Sequence, residues 1–275
     1  MPKTWLITGS SRGLGRALAN AVLAAGDNLV ATARKPEELD ELAAQFGDRV
    51  KTAALDVTDF AAASRAVAVA VATFGRLDVV ANNAGYGNLA PIEDTSIDDF
   101  RAQIETNLFG TINVSKAAIP IMRVQRAGHI IQFSSIGGRV GSTGRAPYSA
   151  AKFGVEGFSE VMATEMAPHG VKVTIIEPGG FRTDFAGSST HIADVRAEYD
   201  STVGEAARFQ RNYNGKQPGD PAKAAQVILK VVAMDNPPLR LLLGSDAVQR
   251  VESSDSRKSE SDKKWRELSI STDFA

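Results

Sequence analysis

The sequence predicts an α/β fold, a doubly wound parallel sheet of about seven strands forming a single domain with helices on both faces. Short apolar runs rich in β-branched residues recur between helix-length segments, the pattern of repeated βαβ units. Several of these runs are apolar on both faces, as strands covered from two sides must be. Right-handed crossovers between such units open a ligand crevice at the carboxyl ends of the strands, and the glycine- and asparagine-rich turns fall there.

In chain order the expected strands are TWLIT (4–8), NLVAT (28–32), VKTAAL (50–55), LDVVAN (77–82), GHIIQFSS (128–135), VKVTIIEP (171–178) and LRLLLG (239–244). No Pro/Gly/Ser-rich linker divides residues 1–183, so one domain is expected over 1–250. Residues 184–219 are polar with scattered Phe and Tyr, and a mobile segment covering the substrate is expected there. Residues 251–275 read as a polar tail, in which the mixed-charge run 252–264 is expected to be solvated or mobile and WRELSI to be loosely held.

Composition narrows the function. Thirty-one basic against 32 acidic residues, in a chain of 275, give no net field toward nucleic acid or an anionic membrane. The absence of cysteine removes disulfides, thiolate catalysis and Cys-type zinc sites, and fits a reducing compartment. The N-terminal apolar run is too short for a signal peptide, and no stretch approaches the roughly 20 apolar residues that span a bilayer. A cytoplasmic protein is expected. His129, His169 and His191 are scattered without ligand spacing, so no metal site is expected.

The first strand passes through TGSSRGLG (8–15) into an Ala/Leu helix. Gly9, Gly13 and Gly15 supply backbone freedom and close approach, and with Ser11, Arg12 and Leu14 they form a turn whose helix N-terminus suits a pyrophosphate. After the second strand an acidic residue would favour NAD, but Arg34 follows Ala33. Arg12 and Arg34 together form a clamp for the 2′-phosphate of NADP(H). Asp56 and Val57 end the third strand. Asp56 or Thr58 caps the next helix, or Asp56 and Val57 hold the adenine, and the two readings are compatible. Asn83, Ala84 and Gly85, within NNAG (82–85), suit a turn beside the cofactor.

YSAAK (148–152) puts Tyr148 and Lys152 four residues apart on one helix face. An adjacent ammonium favours the phenolate, which makes the tyrosine an acid–base catalyst near neutrality. Ser135, at the end of the fifth strand, can donate to an oxygen that gains charge. Asn107 is a poor helix-interior residue in an otherwise good helix: either it serves the site or it is a harmless kink.

Together these elements resemble the short-chain dehydrogenase/reductase superfamily, in the group with a Thr-Gly-x-x-x-Gly-x-Gly turn and a Tyr-x-x-x-Lys site. The resemblance covers residues 4 to about 183 and includes PGGFRT (178–183). It implies a Rossmann-type fold, Tyr148 as general acid/base, Lys152 lowering its pKa and binding the nicotinamide ribose, Ser135 polarising a carbonyl, and Asn107 holding a relay water. It also implies that Pro178, Gly179, Phe181 and Thr183 flank the nicotinamide, that NADP(H) is preferred, and that copies pair as homodimers or homotetramers. Residues 220–248 are similar to the bacterial branch related to 17β-hydroxysteroid and retinol dehydrogenases. The activity implied is hydride transfer between NADP(H) and a small carbonyl or alcohol substrate. The alternative is a non-catalytic NADP(H)-binding redox sensor.

Overall fold

Strand β1 (Thr4–Ile7) is buried at every position, with Trp5 and Ile7 in the core on one side of the sheet and Leu6 in the core on the other. The same two-sided burial recurs in β4 (Val79–Asn82) and β5 (Gly128–Phe133), so the central strands need apolar side chains on both faces. The computed structural model describes residues 1–187 and 189–274. Ser188, in the expected substrate-covering segment, and Ala275, in the expected tail, lie outside the described residues.

The remaining strands are β2 (Asn28–Ala33), β3 (Val50–Ala54), β6 (Val171–Pro178) and β7 (Arg240–Leu243). All pairings are parallel, in the order β3-β2-β1-β4-β5-β6-β7. Each expected strand is present, with no end displaced by more than two residues. The chain runs outward from β1 to β3, then returns to pair β4 with β1, and the connections diverge at that point. This is the switch point where an open sheet forms its ligand crevice.

Helices α1 (Gly13–Ala24) and α8 (Pro221–Val232) cover one face, where Leu18, Val22 and Ile228 meet Ile7 and Ala31. Helices α3 (Phe60–Phe74), α5 (Gly110–Gln125) and α6 (Ala146–Met166) cover the other through Val67, Val114 and Met162. The short α2 (Asp40–Phe46) follows β2, and α4 (Ile97–Ile104) runs into α5 through a wide turn at Glu105–Phe109. That turn has i→i+5 geometry, a form that concentrates at functional sites, and it contains Asn107.

Two regions show more order than the sequence suggests. Among the described residues of 184–219 the chain forms α7 (Glu205–Tyr213), and Ile192 bridges Leu89, whose N–H donates to the His191 carbonyl at 2.9 Å. Leu89, Val203 and Ala207 close a small apolar cluster between the two loops, which is what holds the segment down. The expected tail is the second case, because α9 (Ser245–Ile270) runs straight through the boundary at residue 250. Its first turns are seated by buried Ala247 and Val251 and by a 2.6 Å ion pair from Arg139 to Asp255. The later turns are solvated as expected, yet helical, with Trp265, Leu268 and Ile270 exposed.

Candidate active site

The turns after β1, β4, β5 and β6 converge at the switch point. Thr8, directly after β1, organises two of them: its Oγ1 accepts from the backbone N–H groups of Asn83 and Ala84, each at 2.9 Å. Asn83 Nδ2 returns a 2.9 Å bond to the Thr8 carbonyl. Gly9 and Gly13 have φ of 67° and 58°, which side chains resist, and a Cβ on Gly15 would collide with the Gly9 carbonyl. The turn therefore lies tight on the Asn83 loop with the N-terminus of α1 open above it. Gly13 also faces Thr183, 3.5 Å from where its Cβ would stand, which joins the loop after β6 to the same cleft.

Arg12 and Arg34 are both exposed, and neither forms an ion pair among the described residues. Asp56 does not cap α3, and nor does Thr58; Asp59 does, accepting from Ala61 and Ala62. Instead, Asp56 Oδ1 takes the backbone N–H and hydroxyl of Thr58 at 3.0 and 2.7 Å. These bonds, helped by the nearby Arg34 charge, hold its carboxyl below the ordinary range. Val57 is buried against Gly110 of α5.

Tyr148 and Lys152 lie one turn apart near the start of α6, both buried. Pro147 sits in the first turn, where its missing N–H has no consequence. Lys152 Nζ donates to the Phe133 carbonyl at 2.6 Å and lies 5.7 Å from the Tyr148 ring centroid. Burial pulls its pKa down to about 8, with the Glu156 charge opposing. The Ser135 hydroxyl stands beside the Tyr148 ring, both facing Gly137, and it accepts from Gly137 N–H at 3.1 Å. The expected depressed phenol is not found. Burial raises the Tyr148 pKa, and the Ser135 hydroxyl and Arg145 charge offset this only in part.

Asn107 is fully buried and its side chain is engaged: Nδ2 donates to the Tyr86 and Gln103 carbonyls, both at 2.8 Å, and Oδ1 accepts from Tyr86 N–H at 3.1 Å. It clips the loop after β4 to the wide turn between α4 and α5. Gly85 passes so close to its amide that any Cβ would clash, and the same Cβ would lie 3.7 Å from Lys152 Nζ. On the other side, Pro178 ends β6, Gly179 N–H donates to the Leu243 carbonyl at 2.9 Å, and Gly180 N–H donates to Asp246 at 2.7 Å. Phe181 is anchored by a bridge to Gly219.

A family model described as short chain dehydrogenase matches residues 3–193. The chain belongs to the short-chain dehydrogenase family. The chain is 51% identical over 273 residues to Oxidoreductase BOA17 of Botryotinia fuckeliana (strain B05.10), covering 99% of this chain and 100% of that one. A short-chain dehydrogenase from Streptomyces avermitilis superposes with a TM-score of 0.93 at 38% identity, with 100% of each chain covered. The closed form of serine dehydrogenase complexed with NADP+ superposes at 0.76 and 28% identity, covering 87% of this chain and 94% of that one. A short-chain dehydrogenase/reductase from Burkholderia phymatum in complex with NAD shares the fold, at 0.80 and 21% identity over 91% and 92% of the two chains.

Three further residues shape the cleft of this family member. Thr8 is the hub described above; its place between the first strand and the glycine turn was a usable signal. Phe185 packs on Tyr148 with ring centroids 5.6 Å apart, a contact between loops that periodicity does not encode. Arg145 lies three residues before Tyr148, and a cation immediately before a helix start was visible in the sequence as an electrostatic anomaly.

Proposed function

We propose that the chain is an NADP(H)-dependent oxidoreductase that interconverts a carbonyl and a secondary alcohol. The observation that carries this is the buried Tyr148 phenol, set beside the Ser135 hydroxyl and backed by the Lys152 ammonium, at the switch-point cleft beside the glycine turn. The residues present fit the dinucleotide: a cradle that a Cβ would fill, and two exposed guanidinium groups without anionic partners among the described residues. Gly9, Ser11, Gly13, Leu14 and Gly15 would hold the pyrophosphate, Arg12 and Arg34 the 2′-phosphate, and Asp56 and Val57 the adenine. The Asn83–Gly85 turn, Lys152 and the 178–183 segment would hold the nicotinamide riboside. When bound, NADPH supplies the hydride.

The chain's own residues manage the proton. A phenol raised by burial is neutral at pH 7, so Tyr148 stands ready to give its proton to a carbonyl oxygen as that oxygen gains charge. Ser135 donates to the same oxygen. Lys152, still largely an ammonium at pH 7, stabilises the phenolate left behind. Both Nδ2 protons of Asn107 are taken by backbone carbonyls, so a relay water toward Lys152 would meet that amide only by donating to Oδ1, which accepts a single bond from Tyr86 N–H. The cysteine-free composition suits a reducing compartment, and we place the enzyme in the cytoplasm; no helix among the described residues is long and apolar enough to cross a membrane.

A panel of ketones and aldehydes tests the reading by NADPH oxidation at 340 nm. Turnover of some members that is abolished in Tyr148→Phe is expected. A protein that binds NADPH and turns over none would be the redox sensor instead.

A further inference from the structure

Arg145 carries a charge that the fold leaves without an anion. It is the residue immediately before α6, at the positive end of a 21-residue helix, where a cation is disfavoured. It is half-buried, its Cζ lies 5.7 Å from the Phe185 ring centroid, and its Nη1 donates to the Gly87 carbonyl at 3.0 Å. Among the described residues its guanidinium has no other hydrogen bond and no carboxylate partner. Burial pushes its pKa below the ordinary arginine value, and only the Tyr148 phenol acts the other way.

The other half-buried arginines are treated differently. Arg16 meets Glu41 at 3.2 Å, Arg139 meets Glu177 and Asp255 at 3.2 and 2.6 Å, and Arg240 meets Glu156 and Glu160 at 3.0 and 2.9 Å. Arg49 lacks a carboxylate but donates at 2.6 Å to the Leu23 carbonyl near the C-terminus of α1, where the dipole favours it. Arg145 alone in this set combines burial, an opposing helix end and no anion. A buried charge without a partner is costly, so an arrangement of this kind beside a reactive tyrosine points to an anion brought by a ligand.

The surroundings place that anion on the substrate side. Phe185 touches both Tyr148 and Arg145. Gly87 lies directly against both, since a Cβ there would stand 3.1 Å from Arg145 Nη1 and 2.8 Å from Tyr148 Cδ2, so the guanidinium and the phenol line one stretch of the loop after β4. The glycine turn that would take the dinucleotide phosphates packs instead on Asn83, Ala84 and Thr183. The one other cation at this site, Lys152, is bound to the Phe133 carbonyl. A single guanidinium matches a monoanion, and its planar edge matches a carboxylate.

We propose that Arg145 binds a substrate carboxylate, so that the substrate is an oxo acid or the corresponding hydroxy acid; this rests on the carbonyl–alcohol reading of Tyr148. The carboxylate makes and breaks no bond. It anchors one end of the molecule while the carbonyl oxygen meets Tyr148 and Ser135.

The test compares levulinate and 4-oxocyclohexanecarboxylate with their methyl esters, on wild type, Arg145→Gln and Arg145→Lys, all checked for folding by thermal melting and for NADPH binding. Two readouts are taken: kcat/KM for NADPH oxidation, and calorimetric titration of each compound onto NADP+-loaded protein. At least one acid should be preferred over its ester by about tenfold or more in wild type, as loss of a charge-assisted bond implies. That preference should collapse in Arg145→Gln and survive in part in Arg145→Lys. Failure of both acids to bind at millimolar concentration, equal treatment of acid and ester by wild type, or a preference that survives Arg145→Gln would overturn the proposal. A preference seen in titration and lost in Arg145→Gln, with no NADPH oxidation by any compound, would uphold the carboxylate site and overturn the carbonyl reading.

Discussion

The Lys152 ammonium donates a 2.6 Å hydrogen bond to the Phe133 carbonyl at the end of β5, with both residues buried. The bond fixes the lysine under Tyr148 and satisfies a carbonyl at the carboxyl end of a central strand. Lys152→Ala should therefore lower NADPH affinity by on the order of tenfold and kcat by at least about a hundredfold, while the orphaned carbonyl costs about 1–3 kcal/mol of stability. Fluorescence titration, steady-state kinetics and urea unfolding read the three effects. Normal NADPH binding with lost turnover would remove the ribose role. Because burial holds this lysine at about 8, it is charged below that pH and neutral above it, so kcat/KM of wild type should fall as pH rises through about 8.

Tyr148→Phe removes the hydroxyl but keeps the ring that packs on Phe185. Turnover should drop by at least about a hundredfold, with NADPH affinity within about threefold of wild type. A variant keeping a tenth of wild-type kcat would show that the proton comes from elsewhere.

Cofactor choice rests on Arg12 and Arg34, exposed at the ends of the glycine turn and β2. Two charge-assisted bonds at the low end, about 1.5 kcal/mol each, amount to on the order of a hundredfold preference for NADPH over NADH. Ala33→Asp with Arg34→Ser should reverse that preference by removing attraction and adding repulsion. Titration of both reduced cofactors decides it: equal wild-type affinities, or an unchanged ratio in the double variant, would leave these arginines as surface charge.

His129 is buried in β5, and its Nε2 lies 3.0 Å from Thr174 Oγ1. That hydroxyl donates to the Pro238 carbonyl at 2.8 Å, so it must accept from the imidazole, whose Nε2 therefore carries a proton. Burial first, then the Lys172 charge, lowers its pKa from 6.5 to about 4. Between those values the unfolded chain takes a proton that the folded chain does not, so stability is lost as pH falls from 6.5 toward 4. The loss should approach about 3 kcal/mol, and His129→Gln should flatten it in urea unfolding at pH 7 and pH 4.5.

Self-association is expected through the outer faces of α6 and of the turn before α5. Phe153 and Val161 are 45% and 57% exposed on α6, and Gly157 between them leaves open space for a neighbouring helix. Phe109, 44% exposed, extends the patch. Light scattering should show a dimer or tetramer at micromolar concentration, shifted toward monomer by Val161→Asp. A wild-type monomer at that concentration would refute it.

The seven strands, the glycine turn, and the placing of Tyr148 and Lys152 on one helix face were legible in the sequence, because each depends on local periodicity, turn chemistry or a four-residue spacing. Other features of the cleft were decided by tertiary structure. Asn107 was visible as a misfit in a helix, but only the packed loop after β4 shows that its amide clips Tyr86. The setting of Tyr148 is tertiary as well: spacing brings an ammonium near, whereas the burial that raises its pKa comes from packing against distant segments, the Phe185 ring among them. Arg145 gives the same lesson in charge: the sequence put a cation at a helix start, and only the fold determined that no carboxylate among the described residues reaches it, because which acids come within a few ångströms depends on contacts between distant segments.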